Sequence, residues 1–124
     1  MLNTAELIAF APSTDLARSR AFYADVLGLE FVEETSFACV FRAGRTMLRV
    51  TAVGELTPQP FTVLGWAVDD IRAAVVRLRE RGVEFLRYDT LPQDTDKIWT
   101  TPGGRIAWFT DPDDNVLSLT EFTN

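Results

Sequence analysis

Short apolar stretches alternate with two amphipathic helical segments along this chain. Residues 7–11 are apolar, and Pro12 directly after them predicts that a first strand ends there. Residues 13–15 supply hydroxyl and carboxylate groups that can cap a helix, whose apolar residues recur at helical spacing until Gly28. Strands are then predicted at residues 29–34, 37–42 and 46–53, the last two joined as a hairpin.

The same order returns after residues 54–60, where two prolines interrupt sheet pairing. A strand at residues 61–68 precedes a helix that Asp69 and Asp70 can cap and that Gly82 ends. At an offset of 54 positions, Gly-Leu-Glu-Phe at 28–31 aligns with Gly-Val-Glu-Phe at 82–85. Further strands are predicted at residues 83–87, 98–101, 105–110 and 116–122.

The repeated order predicts an α+β fold made of two tandem βαβββ modules. The modules occupy residues 1–53 and 61–124 of one domain, with residues 54–60 as the linker. About eight strands would then form a curved mixed sheet, with the helices on its outer face and a cleft on its inner face.

Composition and charge exclude several classes of partner. A net charge of −6 argues against nucleic acid, and no apolar run approaches the roughly 18 residues of a membrane span. The N-terminus has no secretion-signal pattern. The single cysteine, Cys39, has no internal disulfide partner, and we read it as a buried, inert thiol. We therefore expect a cytoplasmic protein.

Four motifs in order resemble the vicinal oxygen chelate superfamily, which includes glyoxalase I, extradiol dioxygenases and bleomycin resistance proteins. The first runs from Asp-Leu-Ala-Arg-Ser-Arg-Ala-Phe-Tyr at 15–23 to Val-Leu-Gly-Leu at 26–29. Val-Asp-Asp-Ile at 68–71 and Arg-Gly-Val at 81–83 follow. Trp-Phe-Thr-Asp-Pro-Asp-Asp-Asn at 108–115 is the last, with Asp114 where the family usually has glycine.

The resemblance implies metal ligands that this sequence does not supply. Metal-dependent relatives place a histidine on the first strand of each module, a glutamate after the last turn and often a ligand on the final strand of the first module. This chain has no histidine. The corresponding positions hold Ile8 (or Ala9 or Phe10), Val63, Ser118, and Arg49 or Thr51. None is a good ligand for a divalent cation, so we predict no metal and no cofactor.

Glu121 could replace the missing glutamate only from the other side of the sheet. Residues 118 and 121 differ by an odd number, so a regular strand points them to opposite faces. Aromatic and polar residues on the cleft strands are therefore better candidates for binding than for metal chemistry.

Trp99 and Trp108 lie on strands that should line the cleft, where each could equally well contact a ligand or only pack against neighbouring residues. Trp66 is expected in the core. Arg49, between Leu48 and Val50, either binds a carboxylate or phenolate or extends to solvent from the sheet. Tyr88 is expected to be exposed. The predicted ligand-binding residues are Ile8, Phe10, Arg49, Val63, Trp99, Trp108 and Ser118.

Three functions remain open. The first is a homodimeric protein that binds a small hydrophobic or aromatic molecule without turnover, as drug-sequestering relatives do; the charge of that ligand is open. The second is a lyase, isomerase or dioxygenase, which would need a proton shuttle without histidine. The third is an interaction or regulatory domain.

Overall fold

The computed structural model describes residues 1–123, which form two compact units. The first is Met1–Pro58 and the second begins at Gln59, so the boundary falls inside the predicted linker. A short 3₁₀ helix precedes the first unit's sheet at Leu2–Thr4. The first unit contains β1 Ile8–Ser13, α1 Leu16–Ala21, β2 Glu30–Glu34, β3 Ala38–Ala43 and β4 Thr46–Ala52. The second contains β5 Thr62–Ala67, α2 Ile71–Glu80, β6 Trp99–Thr101, β7 Gly104–Thr110 and β8 Val116–Phe122.

The first unit is a four-stranded mixed sheet in the order β1-β4-β3-β2. β1 runs parallel to β4, and the other neighbours are antiparallel. Phe41 pairs with Leu48, and both side chains are almost completely buried. Tyr23 packs on Phe41 at 5.7 Å between ring centroids. Because Tyr23 belongs to the helical segment, these side chains define the helix side of the sheet.

The first helix begins as the sequence predicts and ends in an unusual way. The Asp15 carboxylate accepts a hydrogen bond from the Arg18 amide at 3.1 Å, which caps α1. After Ala21 the helix widens into a π turn over Phe22–Val26, in which the Leu27 amide donates to the Phe22 carbonyl. Gly28 then adopts φ +74°, a conformation that favours glycine.

The predicted end of β1 at the proline is wrong. β1 continues through Pro12, which pairs with Thr51, to Ser13. β1 is an edge strand of its sheet, and it has a hydrogen-bonded neighbour, β4, on one side only. A proline can occupy a strand of this kind because its missing amide hydrogen need not interrupt the pairing with that neighbour.

The second unit repeats this topology in the order β5-β8-β7-β6. Phe109 pairs with Leu117, and both are fully buried together with Ile71 and Val75 of α2. Asp70 caps α2 by accepting from the Ala73 amide at 3.1 Å, and Gly82 follows the helix with φ +92°. The α+β class and the tandem βαβββ order are confirmed, with one four-stranded sheet in each unit.

The predicted strand at residues 83–87 is reduced to a single bridge between Phe85 and Phe109. One more backbone hydrogen bond follows, from the Leu86 amide to the Trp108 carbonyl at 2.8 Å. Beyond it the Gln93 side chain bonds the backbone at Leu86 and Tyr88, in place of a neighbouring strand. The chain therefore leaves the sheet and returns to it as β6.

No helix within residues 1–123 is long and apolar enough to cross a bilayer.

Candidate functional site

Three aromatic side chains meet on the second unit's sheet, on the face away from α2, which we call the helix-distal face. Trp99 pairs with Ile106, and strand alternation places Trp108 on the same face two residues later. The Trp99 and Trp108 rings stack at 6.1 Å between centroids with 26° between their planes. The Tyr88 ring meets Trp108 edge-on at 5.2 Å. All three side chains are half-buried, so part of each ring remains accessible.

Tyr88 is the member of this cluster that sequence reasoning missed. We expected it to be exposed, but it packs on Trp108, and burial raises the pKa of its hydroxyl. No signal in the sequence pairs Tyr88 with Trp108, because the contact depends on the path of the loop between them. None of the polar atoms on the three rings forms a hydrogen bond with another residue in the described range 1–123.

The loop that carries Tyr88 is tied together by the side chain of Gln93. Its amide oxygen accepts from the Tyr88 backbone amide at 2.6 Å. Its amide nitrogen donates to the carbonyls of Leu86 at 2.9 Å and Lys97 at 2.8 Å. Both ends of the loop are therefore fixed by one side chain, and this holds Tyr88 and Trp99 in place on either side of it.

An ion-pair cluster fastens the same loop to α2. Arg72 pairs with Asp94 at 2.9 Å and also with Asp96, and Arg79 reaches Asp96 at 2.9 Å. Asp94 also accepts from the amides of Asp96 and Ile98. Burial by itself raises the pKa of Asp94, but these hydrogen bonds and the Arg72 charge outweigh it, so the pKa is lowered.

Ser118 lies beside Trp108 on the helix-distal face. It pairs with Trp108 on one side and with Gly65 on the other, and it is 6% exposed. A Cβ atom at Gly65 would lie 2.9 Å from the Ser118 hydroxyl oxygen, so glycine leaves the space that the hydroxyl occupies. Within residues 1–123 this hydroxyl has no hydrogen-bond partner.

The first unit carries three other predicted residues on its own helix-distal face. Phe10 pairs with Arg49 and Ile8 pairs with Met47, so these side chains share the face opposite the buried Leu48. Phe10 is 55% exposed and Ile8 is 46% exposed, whereas Arg49 is half-buried. The structure thus groups the predicted residues in two sets, one on each unit.

Val63 is the remaining predicted residue, and it lies at an irregularity in β5. Thr62 pairs with Val116 while Leu64 pairs with Leu117, so Val63 is an extra residue without a cross-strand partner. It is half-buried, and the ladder assigns it to neither face.

Two side chains considered in the sequence lie on the helix side of their sheets. Trp66 pairs with Leu119 on that side but stays half-buried rather than fully buried. Cys39 is fully buried, with its thiol 3.3 Å from a Glu34 carboxylate oxygen and 3.6 Å from the Leu16 carbonyl. Burial first, and then the Glu34 hydrogen bond and charge, raise the pKa of this thiol to about 11. A thiol held in this way is a poor nucleophile at neutral pH.

The residues at the family's metal-ligand positions do not fit a divalent cation. Ile8 and Val63 offer no donor atom, Arg49 is cationic, and Ser118 offers a single hydroxyl. Glu121 lies on the opposite face from Ser118, as strand parity predicts, and its carboxylate accepts from the Ile71 amide at the start of α2 at 3.0 Å. Residues 1–123 contain no group of three histidine, cysteine, aspartate or glutamate side chains that could hold a metal.

Solved structures with the same fold cover nearly the whole chain. A glyoxalase family protein from Bacillus anthracis matches with a TM-score of 0.77 at 16% identity, covering 97% of this chain and 96% of that one. TnmS3, an antibiotic binding protein from Streptomyces sp. CB03234, matches with a TM-score of 0.74 at 24% identity, covering 99% of both. Lactoylglutathione lyase from Agrobacterium tumefaciens matches with a TM-score of 0.69 at 20% identity, covering 95% and 93%.

None of the curated proteins matches the sequence. A family model does match it, over residues 7–119, which covers most of both units. The resemblance seen in the four motifs is thereby confirmed: the chain belongs to the Glyoxalase/Bleomycin resistance protein/Dioxygenase superfamily.

Proposed function

We propose that this chain binds a small apolar or aromatic molecule on the helix-distal face of its second unit, without a metal ion. The observation that carries this proposal is the cluster of Tyr88, Trp99 and Trp108. Three large rings at the surface of one sheet present apolar area that a ligand can cover. The tied loop holds two of them in position before any ligand arrives, which lowers the entropy cost of binding.

The polar atoms of the cluster favour a ligand with hydrogen-bond acceptors around an aromatic core. The two indole N–H groups can only donate, and the Tyr88 hydroxyl can donate or accept. The Ser118 hydroxyl beside Trp108 adds a fourth polar group. A flat ring system that carries carbonyl or ether oxygens would stack on an indole and also satisfy these donors.

The relation to TnmS3 supports a binding function. That protein is an antibiotic binding protein, and it shares the fold over 99% of both chains. This likeness supports the proposal that the chain functions as a ligand-binding rather than a metal-dependent member of the superfamily. A lyase or dioxygenase reaction would need electrophilic stabilisation that the residues at the ligand positions do not supply.

We further propose that the protein is a cytoplasmic homodimer. The edge strand β1 exposes Ile8 and Phe10, and edges of this kind are usually covered by another chain. A lone cysteine without an internal partner suits a reducing compartment. Light scattering after size-exclusion chromatography measures the assembly, and a monomeric mass would refute the dimer.

Titration of neutral planar aromatic ligands that carry carbonyl or ether oxygens, such as flavone and coumarin, tests the binding function through the fluorescence of the tryptophans. We expect quenching that saturates, together with a rise in melting temperature. A ligand present at 100 times its Kd stabilises the folded state by about 2.7 kcal/mol. Trp108→Leu should weaken binding by about tenfold, because the stacking contact contributes about 0.5–1.5 kcal/mol beyond area burial.

Trp66→Leu is the matched control, since Trp66 lies on the helix side of the same sheet. It should leave the affinity unchanged while it lowers stability. If no ligand in the panel alters fluorescence or melting temperature, or if both tryptophan variants lose affinity equally, the proposed site is wrong.

A further inference from the structure

We propose that Arg49 forms an anion-binding site on the helix-distal face of the first unit. The ligand it fits is an organic carboxylate or phenolate attached to an apolar body. The proposal concerns residues of the first unit only and does not depend on a ligand bound at the aromatic cluster of the second unit.

The first observation is that Arg49 differs from the other arginines in its burial and in its lack of an ion pair. Every other arginine is exposed, and Arg49 alone is half-buried. Arg20, Arg42 and Arg105 reach carboxylates in ion pairs on their own units. Arg49 has no ion pair and no side-chain hydrogen bond with any residue between positions 1 and 123.

The second observation is the apolar surface around this charge. Arg49 pairs with Phe10 on one side and with Val40 on the other. Met47 and Thr51 precede and follow it on the same face of β4. Phe10 is 55% exposed, so its ring offers apolar area to a ligand next to the guanidinium.

No acidic side chain on this sheet face forms an ion pair with Arg49 in the described range 1–123. Glu33 shares the face because it pairs with Val40, but it lies two strands away from β4. Glu30 shares the face as well, because it pairs with Arg42, and its carboxylate forms an ion pair with that arginine at 3.2 Å. Within residues 1–123 neither glutamate forms an ion pair with Arg49. A guanidinium that is partly removed from water and unpaired binds an external anion strongly, since its fork of donors matches a carboxylate.

The overall negative charge does not oppose this site, because the charge is unevenly divided. Residues 1–58 contain seven acidic and five basic residues, a net charge of −2. Residues 59–124 contain eleven acidic and seven basic residues, a net charge of −4. The unit that carries Arg49 is therefore the less negative one. The charge of the ligand is set by the unpaired guanidinium rather than by the net charge of the chain.

Octanoate and octanamide form a matched pair of probes for this site. They share an aliphatic body without an aromatic ring for the second unit's cluster, and they differ in charge. Isothermal titration should show that octanoate binds the unaltered protein about tenfold more tightly than octanamide, the preference expected for hydrogen bonds to a charged group. Amide chemical shifts in NMR should change along β1 and β4.

Arg49→Gln should abolish the preference for octanoate. Arg49→Lys should retain part of it, because lysine keeps the positive charge but lacks the paired N–H donors of the guanidinium group. Arg45→Gln is the matched control, because Arg45 lies exposed in the β3–β4 turn. Three results would overturn the inference: no octanoate binding by the unaltered protein, equal binding of the two probes, or an undiminished preference in Arg49→Gln. Each leaves the binding of neutral aromatic ligands, tested by tryptophan fluorescence, as a separate outcome.

Discussion

Three neighbouring positions on the helix-distal face, one on each of three adjacent strands, carry side chains whose sizes differ in opposite order in the two units. Each set runs across the helix-distal face from the edge strand through its parallel neighbour to the next strand. In the first unit the edge residue is large and the third is small, whereas in the second the edge residue is glycine and the third is tryptophan. The first set is Phe10, Arg49 and Val40, and the second is Gly65, Ser118 and Trp108.

The helix side shows no such divergence. Phe41 and Phe109 occupy equivalent buried positions, each paired with a leucine of the neighbouring strand. Phe31 meets Phe41 at 5.9 Å, and Phe85 meets Phe109 at 5.4 Å between ring centroids. The repeat therefore preserves the packing on the helix side of each sheet and varies the side chains of the helix-distal face.

Truncating the buried phenylalanine at the equivalent position of each unit should have the largest effect on stability. Phe41→Ala and Phe109→Ala should each lower the free energy of unfolding by about 3–5 kcal/mol, because each leaves a cavity in a closed core. Urea denaturation measures both losses. Phe37→Ala, at a position 77% exposed, is the control and should change stability by no more than about 0.5 kcal/mol. A loss below about 1 kcal/mol for either buried phenylalanine would contradict the equivalence of the two cores.

Adding bulk to the second unit's edge strand should have an intermediate effect. Gly65→Ala places a Cβ atom 2.9 Å from the Ser118 oxygen, so the variant should lose about 1–2 kcal/mol through overpacking. Ser118→Ala in the same chain removes that oxygen and should recover most of the loss. Gly54→Ala is the control, since nothing lies within 4 Å of its added atom. If the double variant is no more stable than Gly65→Ala alone, the close approach of Gly65 and Ser118 is not the cause.

The smallest expected effect is the loss of one hydrogen-bonding side chain from a loop in each unit, Asp94 in the second and Thr35 in the first. Asp94 accepts from the Asp96 and Ile98 amides, and Thr35 accepts from the Phe37 and Ala38 amides at 3.1 Å. Asp94→Ala and Thr35→Ala should each cost about 1 kcal/mol at neutral pH.

Only the Asp94 loss should depend on pH. The pKa of Asp94 is lowered in the folded state, so its stabilisation is complete above the unfolded value of about 3.9 and disappears as the pH falls through the folded value. Denaturation midpoints measured from neutral pH down to the acid limit of folding check this. A Thr35→Ala loss that shrinks in acid, or an Asp94→Ala loss that does not, would contradict the assignment.

Short-range chemistry made most of the fold predictable. Asp15 and Asp70 cap their helices and Gly28 and Gly82 take positive φ, because these features depend only on neighbouring residues. The predicted strand at 83–87 was wrong because pairing stops after the Phe85–Phe109 bridge and the bond from the Leu86 amide to the Trp108 carbonyl. The Gln93 side chain then bonds the Leu86 carbonyl and the Tyr88 amide, which local propensity does not reveal.

The candidate site was predictable only in part. Strand alternation predicts that Trp108 and Ser118 lie on the same face of the sheet, and the paired register agrees. Tyr88 joins Trp108 through a loop whose course is set by several hydrogen bonds, so no periodicity marks it. Val63 lies at an irregularity in β5, and a one-residue insertion of this kind leaves no signature in an apolar strand.

The π turn of the first helix accounts for a one-residue difference in length between the halves. Gly28 lies 13 positions after the capping Asp15, whereas Gly82 lies 12 positions after Asp70. A π turn absorbs one additional residue within a helix without moving its ends. The wide turn at Phe22–Val26 is thus a local bulge that lets Phe31 pair with Phe41 in the first unit as Phe85 pairs with Phe109 in the second.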